Sequence, residues 1–235
     1  MRNRAKRSIF SLPIIAIALL AAAGASEAQT TDSIFADGFE SGDTSRWSVA
    51  LGGVDVNATA ALGGSNFGLE VPGGTRSGLE TREPDRETTV RVQFLLDPNT
   101  FELRRNQRIE ILRFYAQGRR HHLRLVLRQN AAGDKRLGLM VRGNRGGYDL
   151  IGGGPVTPGL DNVVKVLWEA ATSRNGNDGS AALFLNGEME ANEPTLANGR
   201  LDVRAIQIGL LGGNAGATRG SYYLDDFTSF RTLSP

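Results

Sequence analysis

Leu183–Phe–Leu–Asn–Gly–Glu–Met189 decides the fold. Asn186–Gly187 supplies the positive φ angles of a two-residue type I′ turn, so the stretch predicts an antiparallel hairpin. Working outward, apolar residues recur with period two. Upstream lie Val164, Val166 and Trp168; before them Leu137, Leu139 and Val141, then Leu123, Leu125 and Leu127, then Val90, Val92, Phe94 and Leu96. Downstream come Ile206, Ile208 and Leu210. Arg91, Gln93, Arg124, Arg128, Lys165 and Gln207 alternate with them, the pattern of antiparallel strands with one wet face. Stretches rich in glycine and asparagine at 143–154, 173–180 and 212–220 read as loops, and Gly152–Pro158 as a long crossing connection. Ten or more short strands without a convincing helix or repeat predict an all-β chain. The expected architecture is an antiparallel β-sandwich or jelly roll in a single domain, with a closed barrel as the competing one.

The ends of the chain set its compartment. Arg2, Arg4, Lys6 and Arg7 precede an apolar run from Ile9 to Ala23, and Ala–Ser–Glu–Ala ends at Ala28. This is a secretory signal, with cuts after Ala23 or Ala25 as alternatives; a spanning helix needs about 20 apolar residues. A retained N-terminal anchor is the competing reading. The expected organisation is a signal peptide over 1–28 and one domain over 29–235, placed in the periplasm, cell envelope or medium, with no transmembrane segment after cleavage.

The whole chain carries 27 Lys and Arg against 25 Asp and Glu. The signal takes four basic residues and one acid with it, leaving 23 and 24, a net charge of −1. The pI near 9.2 therefore reflects the discarded peptide and gives no reason to expect nucleic-acid binding. Having no cysteine excludes disulfides, thiol catalysis and cysteine–zinc sites.

Three segments together resemble exported bacterial members of the concanavalin A-like lectin/glucanase superfamily, the laminin-G-like jelly rolls. They are Phe35–Ala–Asp–Gly–Phe–Glu–Ser–Gly–Asp–Thr–Ser–Arg–Trp47, Ala182–Leu–Phe–Leu–Asn–Gly187 preceded by Val164–Lys–Val–Leu–Trp168, and Gly220–Ser–Tyr–Tyr–Leu–Asp–Asp–Phe227. The resemblance spans residues 34–231 and implies that the first and last strands lie side by side. It thereby brings Asp37 or Glu40 towards Asp225 or Asp226, an oxygen set of the type that holds calcium. The competing reading is that these carboxylates close turns and strand ends. The superfamily contains lectins, adhesive domains, glycosidases and lyases, so the fold leaves activity open.

Catalytic patterns are sparse. Glu188–Met–Glu–Ala–Asn–Glu193 has the spacing of the superfamily's E-x-D-x-x-E glycosidase motif, but Glu190 replaces its Asp. It follows the hairpin turn directly and runs into Pro194, so it reads as the wet face of a short return strand. Adjacent strand residues face opposite ways, so at most one of His121 and His122 serves a site. With Gln93, Tyr115 and nearby arginines it would make a lyase-like set, although the favoured reading is a surface histidine. Trp47 and Trp168 sit in apolar phase and are expected in the core, which counts against a stacking platform for neutral sugars.

Charge is segregated along the chain. Segment 29–102 is net −7, 103–145 is net +10, with eleven arginines and Lys135 against Glu110 and Asp134, and 146–235 is net −4. Arg113, Arg124, Arg128 and Arg142 are the candidate ligand-binding residues, because guanidinium forks pair with carboxylate, sulfate or phosphate. The competing reading pairs these arginines with acids on neighbouring strands. The function expected from the sequence is a non-catalytic carbohydrate-recognising or adhesive module, with an anionic glycan as its partner. A glycoside hydrolase or lyase of the same fold, or a purely structural envelope protein, is the alternative.

Overall fold

A computed structural model of the chain describes residues 32–116, 120–144 and 146–231; the signal segment lies outside the described residues. Among the described residues fifteen strands form one continuous antiparallel sheet. In chain order they are β1 (Ser33–Asp37), β2 (Val49–Leu51), β3 (Asp55–Asn57), β4 (Gly68–Pro72), β5 (Ser77–Thr81), β6 (Thr89–Asp97), β7 (Arg108–Tyr115) and β8 (His121–Gln129). There follow β9 (Lys135–Val141), β10 (Asp149–Gly152), β11 (Asn162–Glu169), β12 (Gly179–Leu185), β13 (Glu188–Leu196), β14 (Ala205–Gly213) and β15 (Ser221–Phe230). The helices given for the described residues are the 3-10 turns Ala58–Ala60 and Ala215–Ala217. None is long and apolar enough to cross a membrane.

The sheet doubles over to make a sandwich. The order β2-β5-β14-β7-β8-β9-β10 gives one layer, and β13-β12-β11-β6-β15-β4-β3 the other, with β1 added beside β15. The two halves are joined through one paired position, Gly152 against Ala191. A Cβ at Gly152 would lie 2.8 Å from the Glu190 carbonyl oxygen, so this corner requires glycine. That the layers face each other follows from ring contacts between strands distant in the sheet: His122 of β8 packs 4.7 Å from Trp168 of β11.

Period-two alternation built this core. Leu123, Leu125 and Leu127 are fully buried, as are Val92, Phe94, Val164, Val166, Trp168 and Ile206. Trp47 is buried too, its Nε1–H donating to Asp37 Oδ2 at 2.8 Å. β12 and β13 form the expected hairpin, with Asn186 and Gly187 at φ 52° and 90°. β1 pairs with β15, placing Asp37 opposite Phe227.

Three local expectations need correction. The 143–154 segment contains a strand, β10, which closes the edge of β9. β13 runs on through Pro194 to Leu196, nine residues, because bulges in its pairing with β12 absorb the proline. Arg91 is buried, its guanidinium 4.6 Å over the Phe230 ring, where the alternation placed it in solvent.

Candidate functional site

The outward face of β5, β14, β7, β8 and β9 carries a connected polar network. A bulge in the β14–β7 pairing brings Gly212 opposite Glu110. A Cβ there would lie 2.2 Å from Arg113 Nη2, so glycine on β14 makes room for the side chains of β7. Arg113 Nε and Nη2 each reach Glu110 Oε2 at 2.5 Å, and Arg124 Nη1 reaches Oε1 at 3.0 Å. Two guanidiniums thus share one carboxylate, leaving this trio a net charge of +1.

The network continues on both sides. Arg113 Nη1 donates to the Tyr115 hydroxyl at 3.2 Å, and Tyr115 donates to Gln207 Oε1 at 2.9 Å. Gln207 Nε2 donates to Glu80 Oε2 at 2.6 Å, and Arg82 pairs with Glu80. In the other direction the Arg124 guanidinium lies 3.8 Å over the Tyr148 ring, and its Nη2–H donates to His121 Nε2. That contact puts the proton of the neutral imidazole on Nδ1. Tyr148 donates its hydroxyl hydrogen to the His121 carbonyl, and its ring stacks on the imidazole at 5.7 Å; Tyr115 meets it edge-on at 5.6 Å.

Burial, and then the Arg124 and Arg113 charges, hold His121 down to about 4, so it is an unprotonated base at neutral pH. Burial pushes the Tyr148 hydroxyl up, which keeps it protonated. His122 belongs to the core: burial holds it down to about 3, and neither ring nitrogen has a hydrogen-bond partner.

Cavities flank the network at both ends of β8. At the His121 end, one of about 380 Å³ is lined by His121, His122, Arg142, Arg120, Arg200 and Asp202, among others. At the Gln129 end, one of about 410 Å³ is lined by Asn106, Gln107, Arg108, Arg128, Asn130 and Arg136, with Gln129.

Of the arginines expected to bind ligand, Arg113 and Arg124 therefore meet in one cluster. Arg142 lines the first cavity and Arg128 the second. The acid that pairs with Arg113 and Arg124 is Glu110, from inside the basic segment and not from the acidic segments on either side. Gln93 is not part of the set. It lies on β6 in the opposite layer, and Gln207 of β14 occupies the place a glutamine was expected to fill. Sequence reasoning also missed Tyr148 and Glu80. Glu80 and Gln207 carry a weak signal as polar residues in outward phase, whereas Tyr148 lies in a glycine-rich segment with no periodicity to mark it.

Three of the four carboxylates of the expected calcium set accept from protein donors. Asp37 accepts from Phe39 N and Trp47 Nε1, and Glu40 from Asn66 and Phe67. Asp225 accepts from Leu62 N, Ser65 Oγ and Asp226 N, and burial pushes its carboxyl up. Asp226 Oδ1 would lie 3.2 Å from a Cβ on Gly38. Among the described residues no three His, Asp or Glu side chains are grouped to hold a metal ion. In the E-x-E-x-x-E stretch, Glu188 is exposed and Glu193 accepts from Thr195 N and Oγ1, the bonding of a solvated strand face.

No family model and no curated protein matches the sequence. Solved structures do. Alginate lyase Aly36B in complex with an alginate trisaccharide superposes with a TM-score of 0.60 at 13% identity, over 86% of this chain and 99% of that one. The fold is a jelly-roll β-sandwich. The cellulose-induced protein Cip1 matches at TM-score 0.62 and 15% identity, over 84% and 97%. Alginate lyase vAL-1 from a Chlorella virus matches at 0.51 and 12%, over 86% and 100%. At these identities the likeness is one of fold.

Proposed function

We propose that the protein is an exported, acidic-polysaccharide-binding protein that cleaves its ligand by β-elimination. The observation that carries this reading is the neutral His121 imidazole beside two guanidiniums and two phenols on one open face. A uronate carboxylate entering the cluster meets the uncompensated positive charge of Arg113 and Arg124. Neutralising that carboxylate acidifies the C5 hydrogen of the sugar. With Arg124 Nη2 turned from His121 Nε2 onto that carboxylate, the freed nitrogen accepts the C5 proton, the electron pair forms the C4=C5 bond, and the C4–O4 bond breaks. The Tyr148 hydroxyl, turned from the His121 carbonyl, donates its proton to the leaving oxygen, and the imidazolium returns its proton to the tyrosinate, so charge and protons balance across the cycle. The fold shared with alginate lyases supports this choice of ligand, and the basic, apolar and small-residue pattern of 1–28 supports export.

Binding without turnover is the second reading. It is favoured by Arg124, which occupies the His121 Nε2 lone pair that a base would use. Incubation with a panel of polyuronates, followed by ultraviolet absorbance of the unsaturated product, separates the two. For the lyase, His121→Ala should lower turnover by roughly 100-fold or more while the resin-bound ligand is still retained. Retention without product selects the binding protein. Neither retention nor product on any polyuronate refutes both.

A further inference from the structure

At the Gln129 end of β8, like charges stand opposite one another. The registers pair Arg108 with Arg128 across β7 and β8, and Arg128 with Arg136 across β8 and β9. Ile109, Leu127 and Leu137 beside them are buried, so all three arginines leave the sheet on the same outward face. Directly opposed residues have Cβ atoms about 4.5–5.5 Å apart, and like charges so placed are destabilising. Among the described residues no carboxylate pairs with any of the three. The nearby Asp134 is bonded to Asn130, and Arg136 Nη2 donates to the Gly153 carbonyl at 3.0 Å. Arg128 Nε is buried without a hydrogen-bond partner. A cavity lined by this row and by Asn106, Gln107, Gln129 and Asn130 lies over it.

We propose that this arginine ladder is a second seat for acidic groups, so that the ligand is an extended polyanion held at two places on one face. The inference rests on the proposed polyuronate reading and deepens it. Arg128 is four residues from Arg124 along β8, about 13 Å at 3.3 Å per residue, further than one sugar unit reaches. Guanidiniums supply the charge-assisted contacts to carboxylates, and the Asn106 and Gln107 amides supply neutral partners for hydroxyl groups. A ladder without an anion leaves its repulsion uncompensated, and an acidic chain laid across it removes that cost.

The test uses Arg128→Gln and Arg136→Gln, with Lys165→Gln on the opposite layer as the charge-matched control. Without ligand, Arg128→Gln should raise the melting temperature by about 1–4 °C, because two like-charge contacts are relieved. The same variant should bind a long polyuronate roughly tenfold more weakly, yet bind a mono- or disaccharide uronate as the wild type does. Lys165→Gln should change neither. A fall in melting temperature with unchanged polymer binding makes the ladder structural and overturns the proposal, as does equal loss in the lysine control. Heparin resin separates the two claims. If the wild type ignores polyuronates but Arg128→Gln still elutes from heparin at lower salt, the uronate reading fails and the second seat stands. Wild-type and variant elution at the same salt overturns the seat itself.

Discussion

Glu110→Gln tests the centre of the site, because it should move stability and affinity in opposite directions. The carboxylate holds Arg113 through contacts of 2.5 Å and Arg124 through one of 3.0 Å. Its side chain is 15% exposed, against 14% for Arg113 and 22% for Arg124. Breaking a buried pair from one side costs about 3–5 kcal/mol. Exposed pairs are worth about 0–1 kcal/mol. A cluster this near the buried limit, with a glutamine oxygen still able to accept one bond, should lose about 2–3 kcal/mol. For a domain of this size that corresponds to a fall of about 5–10 °C in melting temperature. Meanwhile the trio's charge rises from +1 to +2, so retention on an alginate resin at low salt should increase, and that gain should vanish as salt screens it. Thermal denaturation and salt-gradient elution on the same samples read both effects, with exposed Glu188→Gln as the control expected within about 0.5 kcal/mol of wild type. A melting temperature within about 1 °C of wild type would show that Glu110 does not hold the arginines, and the account of the cluster would fall.

Other outcomes follow from the same structure. Leu125→Ala, at a fully buried position beneath the cluster, should cost about 2–5 kcal/mol in denaturant unfolding, and a cost below about 1 kcal/mol would contradict the core described. Trp47→Phe should cost about 1–3 kcal/mol, because the buried Asp37 carboxylate loses its indole donor; matched denaturation curves would refute this. Both histidines sit below their ordinary value of 6.5, His121 at about 4 and His122 at about 3. The unfolded chain therefore binds more protons than the native one below about 6.5, so stability should fall as pH drops through that value towards 3 and stay level from 7 to 8. His122→Phe should flatten that slope in denaturant titrations at several pH values, and an unchanged slope would assign it elsewhere.

The fold was legible because burial writes itself into alternation. Leu123, Leu125 and Leu127 could face only one way, and Asn186–Gly187 left the chain one tight turn to make. Register was not legible. Nothing in the spacing of Arg108, Arg128 and Arg136 says that they stand in one row, since that depends on where the β7–β8 bulges fall. Nor could alternation place Arg91, whose long stem lies along Phe230 out of water. The site was half visible. Arg113 and Arg124 were marked by type and phase, but their partner Glu110 looked like a stray acid in a basic segment. Tyr148 enters from an irregular stretch between β9 and β10, where position is set by tertiary contacts and no local pattern precedes it.

The pairing of β1 with β15 also governs when this chain can finish folding. Ser229 Oγ donates to the Phe35 carbonyl across 194 positions, and Arg231 meets Asp32 across 199. β15 is not an edge piece: it lies between β6 and β4 and also carries β1. Until β15 is in place, β6, β4 and β1 each lack a neighbour, and the aromatic cluster of Phe35, Trp47, Phe94 and Phe227 cannot close. Contacts this distant must meet the entropy of closing nearly the whole chain before they return any stability, which makes assembly slow. The sandwich therefore closes in one step that waits on β15, whatever order the other strands take in pairing.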